Sequence, residues 1–267
     1  MKHNKSIKLI DSHCHLDFPE LESNLDEIIK LSYLNSVKKI ITICTKLSEL
    51  KKIIDISNRY ENIWFTAGIH PHEASYENNS FNNDHLLQLV LKHDKCVGVG
   101  EAGLDFFYRK SSYDDQKKSF LMQIDVARKS NKPIVIHSRD ADEEMEDILV
   151  SEYKKGHFNG VLHCFTGGDK LFSTALKLGF YISFSGIVTF KKSINLQSLA
   201  SKVPNNKYLI ETDSPYLSPE PLRGKTNNPS NVLYVAKFLA KLRNVSINTI
   251  SNETWNNTCN LFNGIGD

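Results

Sequence analysis

Short runs of apolar and β-branched residues alternate along the chain with longer stretches in which apolar positions recur every three to four residues. The short runs predict strands at Lys8–Asp17, Lys39–Cys44, Ile63–Gly68, Cys96–Gly100, a segment opening at Pro133, Asn159–Cys164, Tyr181–Ser185 and Tyr208–Thr212. The helically spaced stretches fall between and after them: Leu21–Val37, Ser48–Arg59, Asp84–His93, Asp114–Ser130, Ala141–Tyr153, Asp169–Leu178, the region around Leu196–Ser201, Pro229–Leu242 and Ile247–Phe262. Gly179 is suited to a left-handed cap closing the sixth of these helices. Strand and helix in strict alternation predict a parallel sheet, and eight such units in 267 residues predict one (β/α)8 TIM barrel spanning residues 1–267.

Chemistry in such a barrel sits where the strands end, so the residues that terminate each apolar run carry the functional information. His13 and His15 are two apart on a strand; their side chains project to one face, with Cys14 turned to the other. The fourth run ends in Glu101, the fifth in His137, the sixth in His163 and the eighth in Asp213. Singly, His137 or His163 also reads as a hydrogen-bonded core histidine and Asp213 as a turn residue before Ser-Pro. Together, four histidines and two acids at one rim predict a metal centre. Imidazole and carboxylate without thiolate suit Zn, Mn or Mg. Six donors exceed the needs of one tetrahedral ion, so two divalent ions sharing a bridge are expected, and Glu101 has two oxygens to divide. Two ions about 3.5 to 4 Å apart activate water and clamp both the attacking and the leaving oxygen, which makes hydrolysis the expected reaction class.

Net charge is only +2, too balanced for a chain that coats nucleic acid through a broad basic face. Any phosphate ligand must be gripped locally. Five scattered cysteines without a CxxC argue against a disulfide framework and a structural zinc site. The basic N-terminal stretch MKHNKSIK leads to no signal-peptide apolar core, and no long apolar run exists, so a cytoplasmic location without membrane attachment is expected. No obligate protein partner is evident.

Seven blocks then align with a known family: DSHCHLD (Asp11–Asp17), GIHPH (Gly68–His72), GVGEAGLDF (Gly98–Phe106), PIVIHSRDA (Pro133–Ala141), HCFTG (His163–Gly167), ETDSPYL (Glu211–Leu217) and RGKTNNP (Arg223–Pro229). In these the chain resembles the TatD-type metal-dependent deoxyribonucleases of the amidohydrolase superfamily. The resemblance implies a TIM barrel with a mononuclear or dinuclear divalent site and Mg-dependent 3'-to-5' exonuclease action on single-stranded DNA. It implies His13, His15 and Asp213 on one ion, His137 and His163 on the second, and Glu101 between them, with Asp213 also taking the proton from the attacking water. His72 is similar to a family position facing substrate, while His70 is expected to organise the turn before Pro71. Arg109, Arg139 and Arg223, with Lys225, are candidate phosphate contacts. Phe106, Phe107 and Tyr108 are candidates for stacking an end base, and Ser214, Pro215 and Tyr216 for shaping the turn that holds Asp213. Where many relatives read PHRGKRNEP, this chain reads PLRGKTNNP, so Leu222, Thr226 and Asn228 remove possible phosphate contacts.

The superfamily also holds C–N hydrolases, many with a carboxylated lysine at the end of strand 4. VGVGEAG has no lysine there, which turns the reading toward phosphoesters. Hydrolysis of an amide, a lactone or an aminoacyl ester, such as a D-aminoacyl-tRNA, is the alternative enzyme reading. A non-catalytic nucleic-acid-binding module is the other, and it predicts a broad basic surface that the balanced charge denies.

Overall fold

Eight parallel strands hydrogen-bond in chain order into a single sheet: β1 (Leu9–Cys14), β2 (Val37–Thr42), β3 (Ile63–Ala67), β4 (Cys96–Asp105), β5 (Ile134–Arg139), β6 (Gly160–Leu162), β7 (Tyr181–Phe184) and β8 (Tyr208–Ile210). The structure is a computed structural model that describes residues 7–266. Residues 1–6, with most of the basic N-terminal stretch, and residue 267 lie outside the described residues, so the ends of the expected 1–267 unit do too. A helix or pair of helices follows each strand, giving the expected (β/α)8 barrel.

β8 and β1 close the ring with few backbone bonds, and a side chain completes the seam. Asp11 Oδ1 accepts the Thr212 N–H at 2.9 Å, and its Oδ2 accepts the Thr212 hydroxyl at 2.6 Å. Ser12 Oγ donates to the Ile210 carbonyl, while the amides of Asp213 and His15 donate to His13 O and Ser214 O.

The period of two along each strand sorts the barrel interior into layers. Ile10, Ile41, Val97, Val135, Val161 and Leu209, from six strands, cluster with Trp255, Leu261, Phe262 and Ile265 of the C-terminal segment, which plugs the interior. His137 lies two residues beyond Val135, His163 two beyond Val161, and Glu211 and Asp213 two and four beyond Leu209. The polar residues therefore occupy the same inward face one or two layers above the apolar plug, toward the strands' C-terminal ends. A larger apolar cluster fills the space between sheet and helices.

Several boundaries differ from the expected ones. The first helical stretch breaks into Pro19–Glu22 and Leu25–Leu34, and β2 starts at Val37. β4 does not stop at Gly100 but runs to Asp105, because residues 102–105 pair in register with residues 136–139 of β5 after a shift beyond Val99. Gly103 allows this: a Cβ there would sit 2.0 Å from the His137 carbonyl oxygen, at φ +142. The eighth helix begins at Val232, after a tight turn at Pro229–Asn231. Gly179 has the left-handed conformation expected of a cap, φ +89.

Candidate metal centre

Glu101, on β4 and 2% exposed, stands at the middle of the polar cluster, and its two oxygens face different partners. Oε2 lies 3.4 Å from His13 Nε2 and 3.8 Å from His15 Nε2. These two nitrogens also face Asp213 Oδ1, at 3.5 and 3.4 Å. Oε1 lies 2.8 Å from His163 Nε2, 2.9 Å from His137 Nδ1 and 3.4 Å from His70 Nε2. All six rim residues singled out in the sequence thus meet around one carboxylate.

Three of these rings, those of His15, His137 and His163, are held from behind. His15 Nδ1 donates to the Ile43 carbonyl at 3.2 Å. His137 Nε2 is 3.1 Å from Asp105 Oδ2, and His163 Nδ1 is 3.3 Å from Glu211 Oε1. Such outer partners set ring orientation and raise the basicity of a ligand. Asp105 is itself clamped: its Oδ1 accepts the Tyr108 N–H, and Gln116 bonds its backbone N–H and carbonyl. The loop bearing Asp213 is tied down by Asn227, whose side-chain amide donates to Thr212 O and Tyr216 O.

The electrostatics follow from burial competing with opposite charge. Burial opposes the Glu101 anion, yet the rings of His163, His70, His13 and His137 hold it well below the usual carboxylate range. Burial likewise opposes a charged His15, but Asp213 and Glu101 outweigh it and raise His15 to about 9. His163 is raised well above its ordinary value by Glu101 and Glu211 against the same burial. His13 goes the other way, lowered by burial and by His163, whose ring stacks on it at 3.9 Å.

Both ring nitrogens of His13, Oε2 of Glu101 and Oε2 of Glu211 are buried without a hydrogen-bond partner. Leaving such atoms dry and unpaired is costly. A divalent cation would engage one nitrogen of His13 and the two carboxylate oxygens, and an all-nitrogen and oxygen donor set suits one. Three groups of donors converge closely enough to hold an ion: His13, His15 and Asp213; His70, Glu101 and His137; and His13, His163 and Glu211, with the atoms of each group within 4.8 Å of one another.

The remaining sequence candidates sit around the mouth. His72 Nε2 is engaged by Asp105 Oδ2 at 2.9 Å. The exposed Arg139 lies over the rings of Phe107 and Tyr108, at 4.5 and 5.5 Å, and both aromatics are 54% exposed, whereas Phe106 packs against Tyr113. Arg109 donates to the Phe106 carbonyl, and Arg223 lies 4.0 Å over Phe190. On the opposite side Phe18 stacks on His15 and meets Tyr216. Ser214 and Tyr216 bond the Asp213 turn as expected. Asn228 caps the turn at Pro229–Asn231.

Three members of the cluster were not among the expected metal ligands. Asp105 lies four residues from Glu101 and Glu211 two from Asp213 on the same inward faces, so the strand period that found their neighbours also points to them. His70 does organise the turn at Pro71, accepting the His72 N–H on Nδ1, and its other nitrogen reaches Glu101. Among the described residues no helix is long and apolar enough to cross a membrane.

Comparison with known proteins matches this arrangement. The chain is 40% identical, over 96% of its length and 99% of the relative's, to an uncharacterised metal-dependent hydrolase, BU355, of Buchnera aphidicola. It is 28% identical to the 3'-5' ssDNA/RNA exonuclease TatD of Escherichia fergusonii, over 95% of this chain and 98% of the other. The crystal structure of YJJV, a TatD homologue from Escherichia coli K12, superposes with a TM-score of 0.89 at 26% identity, covering 96% of this chain and 98% of that one. A family model described as TatD related DNase spans residues 10–263, and with the converging histidines and acids this establishes that the chain belongs to the TatD family.

Proposed function

We propose that this chain, a metal-dependent hydrolase of the TatD family, is a 3'-to-5' exonuclease on single-stranded DNA that works with two divalent ions, Mg, Mn or Zn. The observation that carries the reading is the division of Glu101, one oxygen toward His13 and His15 and the other toward His137 and His163. On this reading His13, His15 and Asp213 would hold one ion, His137 and His163 the other, and Glu101 would contribute to both. The TatD exonuclease among its relatives supports the substrate class. The buried thiols of Cys14, Cys44 and Cys96 support a reducing, cytoplasmic setting.

Ions held there lower the pKa of a coordinated water and neutralise charge on a phosphoryl group. The chain's own residues divide the remaining work. Glu101, with its side chain 2% exposed, is sealed from exchange and serves to hold. Asp213 retains 15% exposure and, kept ionised by His15, accepts the proton that the attacking water loses. Phe107 and Tyr108, with Arg139 against them, offer a stacking surface and a cation to a 3'-terminal nucleotide. Arg109 and Arg223 are additional phosphate contacts at the mouth, and His72, braced by Asp105, lines its wall. With Leu222, Thr226 and Asn228 supplying no charge beside Arg223, the grip on DNA falls mainly to the β4 and β5 side.

The test is incubation of the purified protein with 5'-labelled single-stranded DNA and Mg or Mn. Stepwise shortening from the 3' end with release of 5'-mononucleotides is expected. An intact DNA ladder together with hydrolysis of a D-aminoacyl-tRNA ester would put the alternative hydrolase reading in its place. His137→Ala and Asp213→Asn are each expected to cut turnover by ~100-fold or more with the circular-dichroism spectrum unchanged. Full activity in both variants refutes the ligand assignment.

A further inference from the structure

His15 and His70 both present Nε2 to Glu101, yet the groups behind their rings are opposite in kind. Behind His15, Nδ1 lies 3.2 Å from the carbonyl oxygen of Ile43. A carbonyl only accepts, so His15 Nδ1 carries the proton, and in the neutral ring Nε2 keeps its lone pair for a cation. Behind His70, the backbone N–H of His72 donates to Nδ1 at 3.1 Å. An amide N–H only donates, so His70 Nδ1 holds the lone pair and the ring proton sits on Nε2.

The local sequence explains the arrangement. Pro71 has no N–H, so the first amide of the turn Pro71–Glu73 that needs a partner is that of His72, and the preceding imidazole caps it. Turning the ring over would set a carbon against that half-buried amide, which disfavours the other orientation. The His70 ring is further confined edge-on between those of His72 and His137, at centroid distances of 4.3 and 4.7 Å. Its Nε2 lies 3.4 Å from Glu101 Oε1, a long contact that leaves the Nε2–H available to a better-placed acceptor.

We infer that His70 is a hydrogen-bond donor inside the centre, not a nitrogen ligand beside Glu101 and His137, and that its Nε2–H binds the substrate oxygen that comes to lie next to Glu101. That this oxygen belongs to a phosphate rests on the exonuclease reading; the donor role itself does not. A donor fixed before substrate arrives needs no reorganisation when negative charge develops on that oxygen.

Three measurements test this. Long-range proton–nitrogen NMR of the metal-free protein, with His70 assigned by comparison with a His70→Gln variant, should find the proton on Nε2; a proton on Nδ1 overturns the inference. Calorimetric titration with Mn should give His70→Asn the parent's stoichiometry and an affinity within about threefold, short of the ~10–100-fold expected when a ligand's support is disturbed. Asn is chosen because its side-chain oxygen can still cap the His72 amide. Loss of an equivalent of Mn, or a tenfold weaker affinity, would make His70 a ligand and overturn the inference. Turnover of single-stranded DNA should fall by about 100-fold in His70→Asn and recover at least in part in His70→Gln, which restores an N–H near the Nε2 position. Unchanged turnover in His70→Asn removes the substrate contact. A parent protein that leaves DNA intact defeats the exonuclease reading alone, since the NMR and Mn results still decide how His70 is used.

Discussion

Five imidazoles stand within 3.8 Å of the Glu101 carboxylate, and a carboxylate so deeply buried stays ionised only in such company. Because each oxygen addresses its own set of rings, two for Oε2 and three for Oε1, Glu101→Gln should weaken Mn binding by at least ~10-fold, measured by calorimetry, and a variant that binds Mn like the parent would remove Glu101 from the centre. The same residues predict a pH effect. His15 is raised to about 9, so at neutral pH it carries its second proton, and His163 is shifted in the same direction. A cation needs the neutral ring, so binding must expel that proton, and affinity should rise as pH climbs from 6 toward 9. Titrations in buffers of different ionisation enthalpy should report release of about one proton or more per protein at pH 7; zero release contradicts the charge states described. At this scale the rim residues were legible because each ends an apolar run. Asp105 and Glu211 were not, since EAGLD has no β-branched run to mark it as strand and Asp213 rather than Glu211 ends the last apolar run, although counting in twos from Glu101 or Asp213 reaches both.

The strands were legible as elements wherever β-branched runs were bounded by polar loops, which covers all eight. Their lengths were less so, because pairing rather than composition decides where a strand ends. β4 illustrates this: EAGLD looks like a loop, yet pairing with β5 keeps it extended and thereby sets Glu101 and Asp105 on either side of His137. Gly103 makes that pairing possible. Gly103→Ala should therefore cost about 1–3 kcal/mol from overpacking and backbone strain, read as a lower denaturant midpoint, and should loosen Mn binding as well. An alanine variant with the parent's midpoint would show that β4 does not depend on the close approach to His137.

For the molecule as a whole, buried donors without partners at one end of the barrel are set against an apolar plug at the other. Folded protein should thus bind divalent ions far better than the unfolded chain does, and saturating Mn at about 100 times its dissociation constant should add ~2.7 kcal/mol. For a chain of this size that is a rise in melting temperature of about 5 to 10 °C, reversed by a chelator; no shift would mean that the cluster does not hold metal. The seam between β8 and β1 carries another implication. Asp11 reaches across to Thr212, and His13 and His15 meet Asp213 only once that seam is made. During translation the first donors leave the ribosome some two hundred residues ahead of the last, so a nascent or prematurely terminated chain lacking β8 has no complete centre. Metal-dependent hydrolysis is thereby withheld until β8 has been made and docked.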